Sequence, residues 1–177
     1  VCSSDLSANG NNFGLTKNGS GTFTLISANT YSGKTIISGG ILNLGHISAI
    51  QNSAFDTASS ITGTATDGLR ATVTNLTLGG LTGNKNFADV FTTTSGGYTS
   101  LTNVSLNPAS GVTNSYSGAL AVNGSMTVTK TGAGTQILTG TLNAPSIVTA
   151  GKLQISSTNS GTGAVTLNGG TLAVDVV

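Results

Sequence analysis

The side chains that could perform acid–base or nucleophilic chemistry are few and scattered in this chain. Its 177 residues include six Lys or Arg, five Asp, no Glu and one histidine, His46. A nucleophilic triad needs a histidine held between an acid and an activated Ser or Cys. The sequence places neither Asp56 nor any Ser in that relation to His46. We therefore predict no catalytic residue and expect His46 to lie on a solvent-facing turn.

Paired carboxylates are the other chemistry to consider, because glycoside hydrolysis normally uses two acids several ångströms apart. Asp56 and Asp67 could fall on neighbouring turns of a coiled chain, but "FDTASS" and "ATDGLR" are typical of capping and turn segments. No His, Cys or Asp residues have the short spacings of metal ligands, and we predict no metal and no cofactor. A β-helix enzyme that degrades polysaccharides is therefore kept only as a third, less favoured function.

The three tyrosines, Tyr31, Tyr98 and Tyr116, allow two interpretations. Exposed aromatic rings are a common means of gripping sugars, so a host or matrix glycan is one candidate partner. The rings could instead cover the corners of the fold and cap its core. We predict the second arrangement and keep the first as an alternative.

Charge excludes two classes of partner. The formal net charge is +1, and the six basic residues form no cluster. Nucleic acids and anionic membranes are bound through clustered cations, so we predict no nucleic-acid partner. The longest apolar runs have about four residues, against roughly 18 for a membrane-spanning helix. We predict no membrane insertion by this segment.

Composition indicates short strands joined by turns. Gly, Ser, Thr and Asn make up more than half of the chain, yet 37% of it is hydrophobic and only 6% is charged. Disordered segments combine low hydrophobicity with high charge, so disorder does not fit. Alternating Leu, Ile and Val residues separated by Gly or Asn-Gly predict an all-β fold. Only "ISAIQNSAF" (47–55) suggests a single helical turn or an irregular loop.

Two segments repeat one pattern. "LTKNGSGTFTLISANTYSGKTIISGGILNLG" (15–45) aligns with residues 128–155, which begin "VTKTGAGTQIL". Both copies carry Thr-Lys, then Gly-x-Gly-Thr, then an apolar alternation. The positions that they share are Thr16, Lys17, Gly19, Gly21 and Thr22 in the first copy and Thr129, Lys130, Gly132, Gly134 and Thr135 in the second. We expect both lysines to point outward, where a charge keeps the surface soluble.

A β-solenoid accounts for this pattern better than its alternative, an antiparallel sandwich. In a solenoid each short strand stacks on the strand one full turn earlier, with Leu, Ile and Val in an inner ladder and Gly and Asn at the corners. At 20 to 25 residues per turn, the chain would form about seven or eight turns. With the usual strand spacing, the rod would be roughly 35 Å long.

The repeated pattern resembles the autotransporter-associated β-strand repeat, also called the passenger-associated transport repeat. The first copy carries the pattern most fully, including a corner formed by Asn29, Tyr31 and Gly33; the second has "LNAPS" (142–146) in its place. The resemblance implies a right-handed parallel β-helix in the passenger of an exported or surface protein of a Gram-negative bacterium. It also implies a C-terminal outer-membrane β-barrel as partner in the full-length protein, although similar repeats occur in exported proteins without a barrel and the export route stays open.

These inferences predict a structural stalk or passenger segment without catalysis, with an adhesin or carbohydrate-binding surface as the alternative. "VCSSDL" (1–6) matches nothing else in the chain and resembles a translated sequencing adapter. We therefore interpret residues 1–6, with the single cysteine, as an artefact. Residues 7–177 are then a solenoid segment, expected to be a fragment without end caps.

Overall fold

The structure, a computed structural model, describes residues 2–3, 12–121, 123–124, 126–156 and 158–175. Most of the secondary structure in this part of the chain is short β-strand, and two short 3-10 helices, Phe87–Val90 and Tyr98–Ser100, interrupt it. The strands in the first half are β1 (Cys2–Ser3), β2 (Leu15–Lys17), β3 (Thr22–Leu25), β4 (Thr35–Ile37), β5 (Ile41–Leu44), β6 (Ile50–Asp56), β7 (Gly68–Ala71) and β8 (Asn75–Thr82). Those in the second half are β9 (Asn103–Leu106), β10 (Thr113–Tyr116), β11 (Thr127–Lys130), β12 (Thr135–Leu138), β13 (Ser146–Val148), β14 (Lys152–Ser156), β15 (Val165–Leu167) and β16 (Thr171–Asp175).

Every strand pairing is parallel, and strands of consecutive windings stack on each other. One long sheet has the order β2-β4-β6-β8-β9-β11-β13-β15, and two shorter sheets have the orders β1-β3-β5-β7 and β10-β12-β14-β16. Each winding of the chain, called a rung below, contributes one strand to the long sheet. The described residues therefore form a parallel β-solenoid of eight rungs, which confirms the all-β solenoid prediction. The antiparallel sandwich is wrong.

Rung length varies more than the sequence predicts. Val128 pairs with Ser146, 18 positions later, whereas Asn75 pairs with Asn103, 28 positions later. The rung that contains both 3-10 helices, between β8 and β9, is among the longest. The middle of the solenoid is thus widened by an insertion, and the 20 to 25 residues expected per rung describe only part of the chain.

The core is an inner ladder of stacked apolar side chains. Leu25, Leu44 and Ala71 occupy the same register position in β3, β5 and β7, and all three are buried. Burying a leucine side chain contributes roughly 2 kcal/mol, so each added rung extends a continuous source of stability. This arrangement confirms the predicted ladder.

Aromatic rings fill the wider middle rungs. Phe87, from the first 3-10 helix, is fully buried and meets Phe91 at a ring-centroid distance of 5.1 Å and Tyr98 at 5.9 Å. Both contacts are edge-to-face, the geometry that aromatic quadrupoles favour. The inserted segment therefore supplies its own core instead of leaving the wider rung empty.

The prediction of a helical turn or irregular loop at 47–55 is wrong, because β6 covers most of that segment. The pairing of β6 with β8 shifts register between Ile50 and Ala54, at an irregularity of the β-bulge type. A bulge inserts an extra residue and breaks the two-residue alternation. Ile50 and Phe55 are consequently both buried at a spacing that does not look like a strand.

The interpretation of residues 1–6 as an artefact falls mostly outside the described residues. Within it only Cys2–Ser3 is described, as β1, whose backbone pairs with Thr24 and Leu25. The domain boundary at residue 7 stays a prediction. The right-handed sense also stays a prediction, which the strong preference of parallel crossovers for that hand supports.

Candidate functional site

The ionisable residues serve local structure. His46 is half-buried in the turn after β5, where its Nδ1 accepts a hydrogen bond from the Ser48 backbone N–H at 3.1 Å. Asp67 accepts a hydrogen bond from the Gly40 backbone N–H at 2.6 Å, and Asp89 accepts one from the Asn86 side chain at 2.9 Å. Within the described ranges no three His, Cys, Asp or Glu residues lie close enough to hold a metal ion.

Among the described residues one ion pair is found, between Lys34 and Asp56, with Lys34 Nζ 2.7 Å from Asp56 Oδ2. The carboxylate is only 8% exposed, and it also accepts a hydrogen bond from the Ala58 backbone N–H at 3.0 Å. Burial by itself would raise the pKa of Asp56. The hydrogen bond and charge of Lys34, with the backbone donors, outweigh burial and hold that pKa below its ordinary value of 3.8.

Replacing Asp56 by asparagine is expected to make stability less sensitive to acid. A carboxylate with a lowered folded-state pKa contributes stability that is complete above pH 3.8 and is lost as pH falls through the folded-state value. We expect Asp56→Asn to cost about 1 kcal/mol at pH 7, since Lys34 is half-exposed, and to approach the wild type near pH 2. Urea unfolding at both pH values measures this change.

The exposed Asp89 supplies the matched control for that experiment. Asp89→Asn removes the same charge from a carboxylate with one side-chain partner, so we expect a smaller loss at pH 7. A cost for Asp56→Asn that persists unchanged at low pH would contradict the assignment to the ionised carboxylate.

The three tyrosines cap the core, as predicted, and are too deeply buried to stack on sugars. Their exposed fractions are 3% for Tyr31, 8% for Tyr98 and 1% for Tyr116. Each hydroxyl has an internal partner; the Tyr31 hydroxyl, for example, bonds Thr35 Oγ1 at 2.9 Å. Burial raises the pKa of Tyr31 to about 12 and that of the other two further. The tyrosines therefore do not form a glycan platform.

The repeated lysines lie inside the solenoid, and the prediction that they point outward is wrong. Lys17 is 7% exposed and Lys130 is 1% exposed. Lys17 Nζ donates hydrogen bonds to the backbone carbonyls of Gly19 at 2.7 Å, Gly39 at 2.8 Å and Asn18 at 3.2 Å. Burial lowers the pKa of Lys130, whose Nζ donates to the carbonyls of Gly132 and Ala150. Backbone carbonyls take the place of water around both ammonium groups.

The glycines of the repeat allow close approach between rungs. A Cβ atom on Gly132 would lie 2.2 Å from the Pro108 carbonyl oxygen, and one on Gly134 would lie 2.2 Å from that of Ala109. Both contacts are with the rung below. A Cβ atom on Gly19 or Gly21 would meet no described atom within 4 Å, but Gly19 has a φ of 78° at its turn.

The threonines of the repeat lie on strands, and Asn29 lies in the corner of the first copy. Thr22 starts β3 and Thr135 starts β12, while Thr16 and Thr129 lie within β2 and β11 and point away from the core. In the corner of the first copy, Asn29 is 1% exposed and donates a hydrogen bond to the Ala49 carbonyl of the next rung at 2.8 Å.

Gly33 and Asn159 form the corresponding links at other corners. The Gly33 backbone N–H donates to the Phe13 carbonyl at 2.8 Å. Where the second copy has "LNAPS", Asn159 of the following rung accepts a hydrogen bond from the Leu142 N–H at 3.1 Å and donates one to the Gly140 carbonyl at 2.9 Å. The corner of the second copy is thus held by an asparagine that the sequence comparison missed.

A shallow groove of about 450 Å³ crosses the outside of several rungs. Its lining combines amides, hydroxyls and one lysine with small residues, among them Asn12, Ser32, Lys34, Asn52 and Gly79. Ser32 already bonds the Asn12 side chain at 3.0 Å. The groove has a mixed polar and apolar lining, and among its lining residues there is no pair of carboxylates and no candidate nucleophile with a base.

Comparison with known proteins identifies the repeats. Residues 15–44, 128–144 and 150–174 match the passenger-associated-transport-repeat family. No curated protein and no solved structure shows significant similarity to the chain. The third match begins inside the second copy, so the repeat continues into the last rung, a continuation that sequence reasoning missed.

No helix among the described residues is long and apolar enough to cross a membrane.

The matched segments coincide with stacked strand pairs: residues 15–44 contain β2 to β5, and residues 150–174 contain β14 and β15. These three segments are therefore similar to passenger-associated transport repeats, and in this chain they build rungs of a parallel β-solenoid.

Proposed function

We propose that this chain is a stalk-like segment in the passenger of an exported bacterial surface protein. The observation that carries the proposal is the long sheet, in which eight strands stack in parallel from β2 to β15 without a break. At the usual strand spacing of about 4.8 Å, this stack extends roughly 35 Å. Such a rod holds whatever follows or precedes it at a fixed distance from its point of attachment.

The repeat family supports the cellular setting of this proposal. Its name refers to passengers and their transport, so we infer secretion or display on the outer face of the outer membrane. The partner would be a C-terminal outer-membrane β-barrel of the full-length protein. The described residues form stacked rungs. Asp56 is held in an ion pair, and Asp67 and His46 accept backbone hydrogen bonds in turns. This arrangement suits a supporting role better than catalysis.

Stacking also gives the segment a role during export. In a solenoid each rung contacts mainly its neighbours, so stability accumulates as rungs are added. Rungs that fold outside the cell would oppose return of the chain through the membrane. The inner ladder and the cross-rung contacts of Lys17 and Asn29 provide the stability that this role needs.

The purified 177-residue chain tests the proposal. We expect circular dichroism to show a cooperatively folding β protein, and small-angle scattering to give the dimensions of a short monomeric rod. Removing residues 128–145, one rung by the register of Val128 and Ser146, should shorten that rod by about 5 Å without unfolding it. A chain that does not fold alone, or a rung deletion that collapses the rod, would contradict a modular stalk.

A glycan-binding surface is the alternative function, and the groove that includes Ser32 and Asn52 is where the structure offers room for it. Because the tyrosines are buried, binding would have to use groups such as Asn12, Ser32 and Asn52. The same purified chain can be applied to a glycan array. We expect no binding; saturable binding that Asn52→Ala abolishes would favour the adhesin over the stalk.

A further inference from the structure

We propose that Lys17 and Lys130 are register clamps, each of which joins the glycine turn of its own rung to the glycine turn of the next rung. Lys17 Nζ contacts the Gly19 carbonyl in its own rung and the Gly39 carbonyl in the next, at 2.7 and 2.8 Å. Lys130 Nζ repeats the arrangement with the carbonyls of Gly132 and Ala150. The same contact thus recurs in both copies of the motif.

The chemistry of the ammonium group explains why the motif contains lysine. An ammonium has three donors on a compact head, so it can satisfy carbonyls from two directions at once. Within the described ranges its charge is not matched by a carboxylate, since the ion pair there joins Lys34 and Asp56. Charge-assisted hydrogen bonds to backbone carbonyls hold the charge instead. Arginine has a larger planar head whose donors point in a fixed fork, so it would not direct its donors in the same way.

The glycine that follows the clamped carbonyl makes room for the ammonium. A Cβ atom on Gly40 would lie 2.6 Å from Lys17 Nζ and 2.3 Å from the Gly19 carbonyl oxygen. A Cβ atom on Gly151, the equivalent position beside Lys130, would lie 2.3 Å from the Gly132 oxygen. Both glycines also have positive φ angles, 67° and 61°. Each clamp therefore requires both the lysine and the glycine that follows the clamped carbonyl.

Parallel strands rich in Thr, Ser and Gly need an interaction that fixes the register between neighbouring rungs. A register slip of one residue would turn the inner ladder outward and is strongly disfavoured. A slip of two residues keeps every side chain on its own face, so hydrophobic burial opposes it only weakly. The ammonium reaches both turns in one register only. Lys17 therefore selects that register between β2 and β4, and Lys130 selects it between β11 and β13.

Disulfide trapping tests the clamp directly. In a Cys2→Ser background, Thr16→Cys with Ile36→Cys reports the native register, because these residues are paired. Thr16→Cys with Ser38→Cys reports a slip of two residues. We expect the native pair alone to cross-link when Lys17 is present. With Lys17→Met, we expect the slipped pair to cross-link at least fivefold more than before.

Lys152→Met is the control, because Lys152 lies on the face of β14 opposite the buried Leu153 and is not part of the repeated motif. We expect no gain of the slipped cross-link in that variant. If Lys17→Met prevents folding, the pairs Thr129→Cys with Ile147→Cys and Thr129→Cys with Thr149→Cys test Lys130→Met in the second copy. An unchanged ratio of slipped to native cross-link in both lysine variants would overturn the proposal, even if stability falls.

Discussion

Replacing Gly40 by alanine is expected to lower the free energy of unfolding by about 3 kcal/mol, whereas Gly39→Ala, one residue earlier, should cost less than about 1 kcal/mol. Gly40 has a φ of 67°, a conformation that costs alanine about 1 kcal/mol or more. Its new Cβ would also lie 2.3 Å from the Gly19 carbonyl oxygen and 2.4 Å from that of Gly21. Both obstacles are backbone atoms, which cannot move without disturbing the ladder between β3 and β5.

Gly39 is a matched control within the same turn. A Cβ atom there would come no closer than 3.4 Å to a neighbouring atom, the Gly19 backbone nitrogen. The second copy of the repeat already carries Ala150 at this position, followed by Gly151. Urea unfolding followed by far-ultraviolet circular dichroism measures both variants. Equal losses for Gly39→Ala and Gly40→Ala would show that the contact with Lys17 and the turns does not set the requirement for glycine.

The sequence was sufficient to predict the fold because periodicity and repetition agree. Alternating apolar residues between Gly and Asn turns predicted short strands, and the repeated motif predicted that those strands stack in parallel. What it could not supply was the length of the middle rungs. The 3-10 segments Phe87–Val90 and Tyr98–Ser100 have no strong helical pattern, and their burial depends on aromatic contacts made across the rung.

The burial of Lys17 and Lys130 runs against the general rule that charged side chains are exposed. Charged residues are usually exposed, so Lys17 and Lys130 were expected to face solvent. The strand alternation itself pointed the other way, because Leu15 and Lys17 are two residues apart and share a face, as do Val128 and Lys130. The ammonium groups on that face can be buried because backbone carbonyls of the adjacent turns accept their hydrogen bonds. The sequence of one strand does not show where those carbonyls lie. The sequence identifies the repeated lysine, but part of the set of carbonyls that binds its ammonium group belongs to the neighbouring rung.

The buried amides are a second group that sequence reasoning missed. Asn114 and Gln136 occupy paired positions in β10 and β12, and both point inward. They face the end of β8, whose pairing with β9 runs only from Asn75 to Leu78. Asn114 Nδ2 donates to the Gly79 carbonyl at 3.0 Å, and Gln136 bonds both backbone groups of Leu81. The two side chains thus take the place of a neighbouring strand.

Gln136→Ala is therefore expected to cost about 3 kcal/mol, an effect comparable with that of Gly40→Ala. Gln136 Oε1 accepts a hydrogen bond from the Leu81 N–H, and Nε2 donates to the Leu81 carbonyl, both at 3.0 Å. Gln136 is fully buried, so its removal leaves two buried backbone groups of Leu81 without this partner and opens a cavity. Thermal and urea unfolding of the variant measure the loss.

Two further variants separate the causes of that loss. Gln136→Leu fills most of the cavity but cannot bond Leu81, so a cost near that of Gln136→Ala would assign the effect to the hydrogen bonds. Gln154 of β14 pairs with Ile137 and so lies on the opposite face of the sheet from Gln136, where it donates to the Asp175 carboxylate oxygens at 2.8 and 2.9 Å. Gln154→Ala should change stability by less than about 0.5 kcal/mol. If it costs as much as Gln136→Ala, the amides of this solenoid stabilise it generally, and the partial pairing of β8 is not what makes Gln136 necessary.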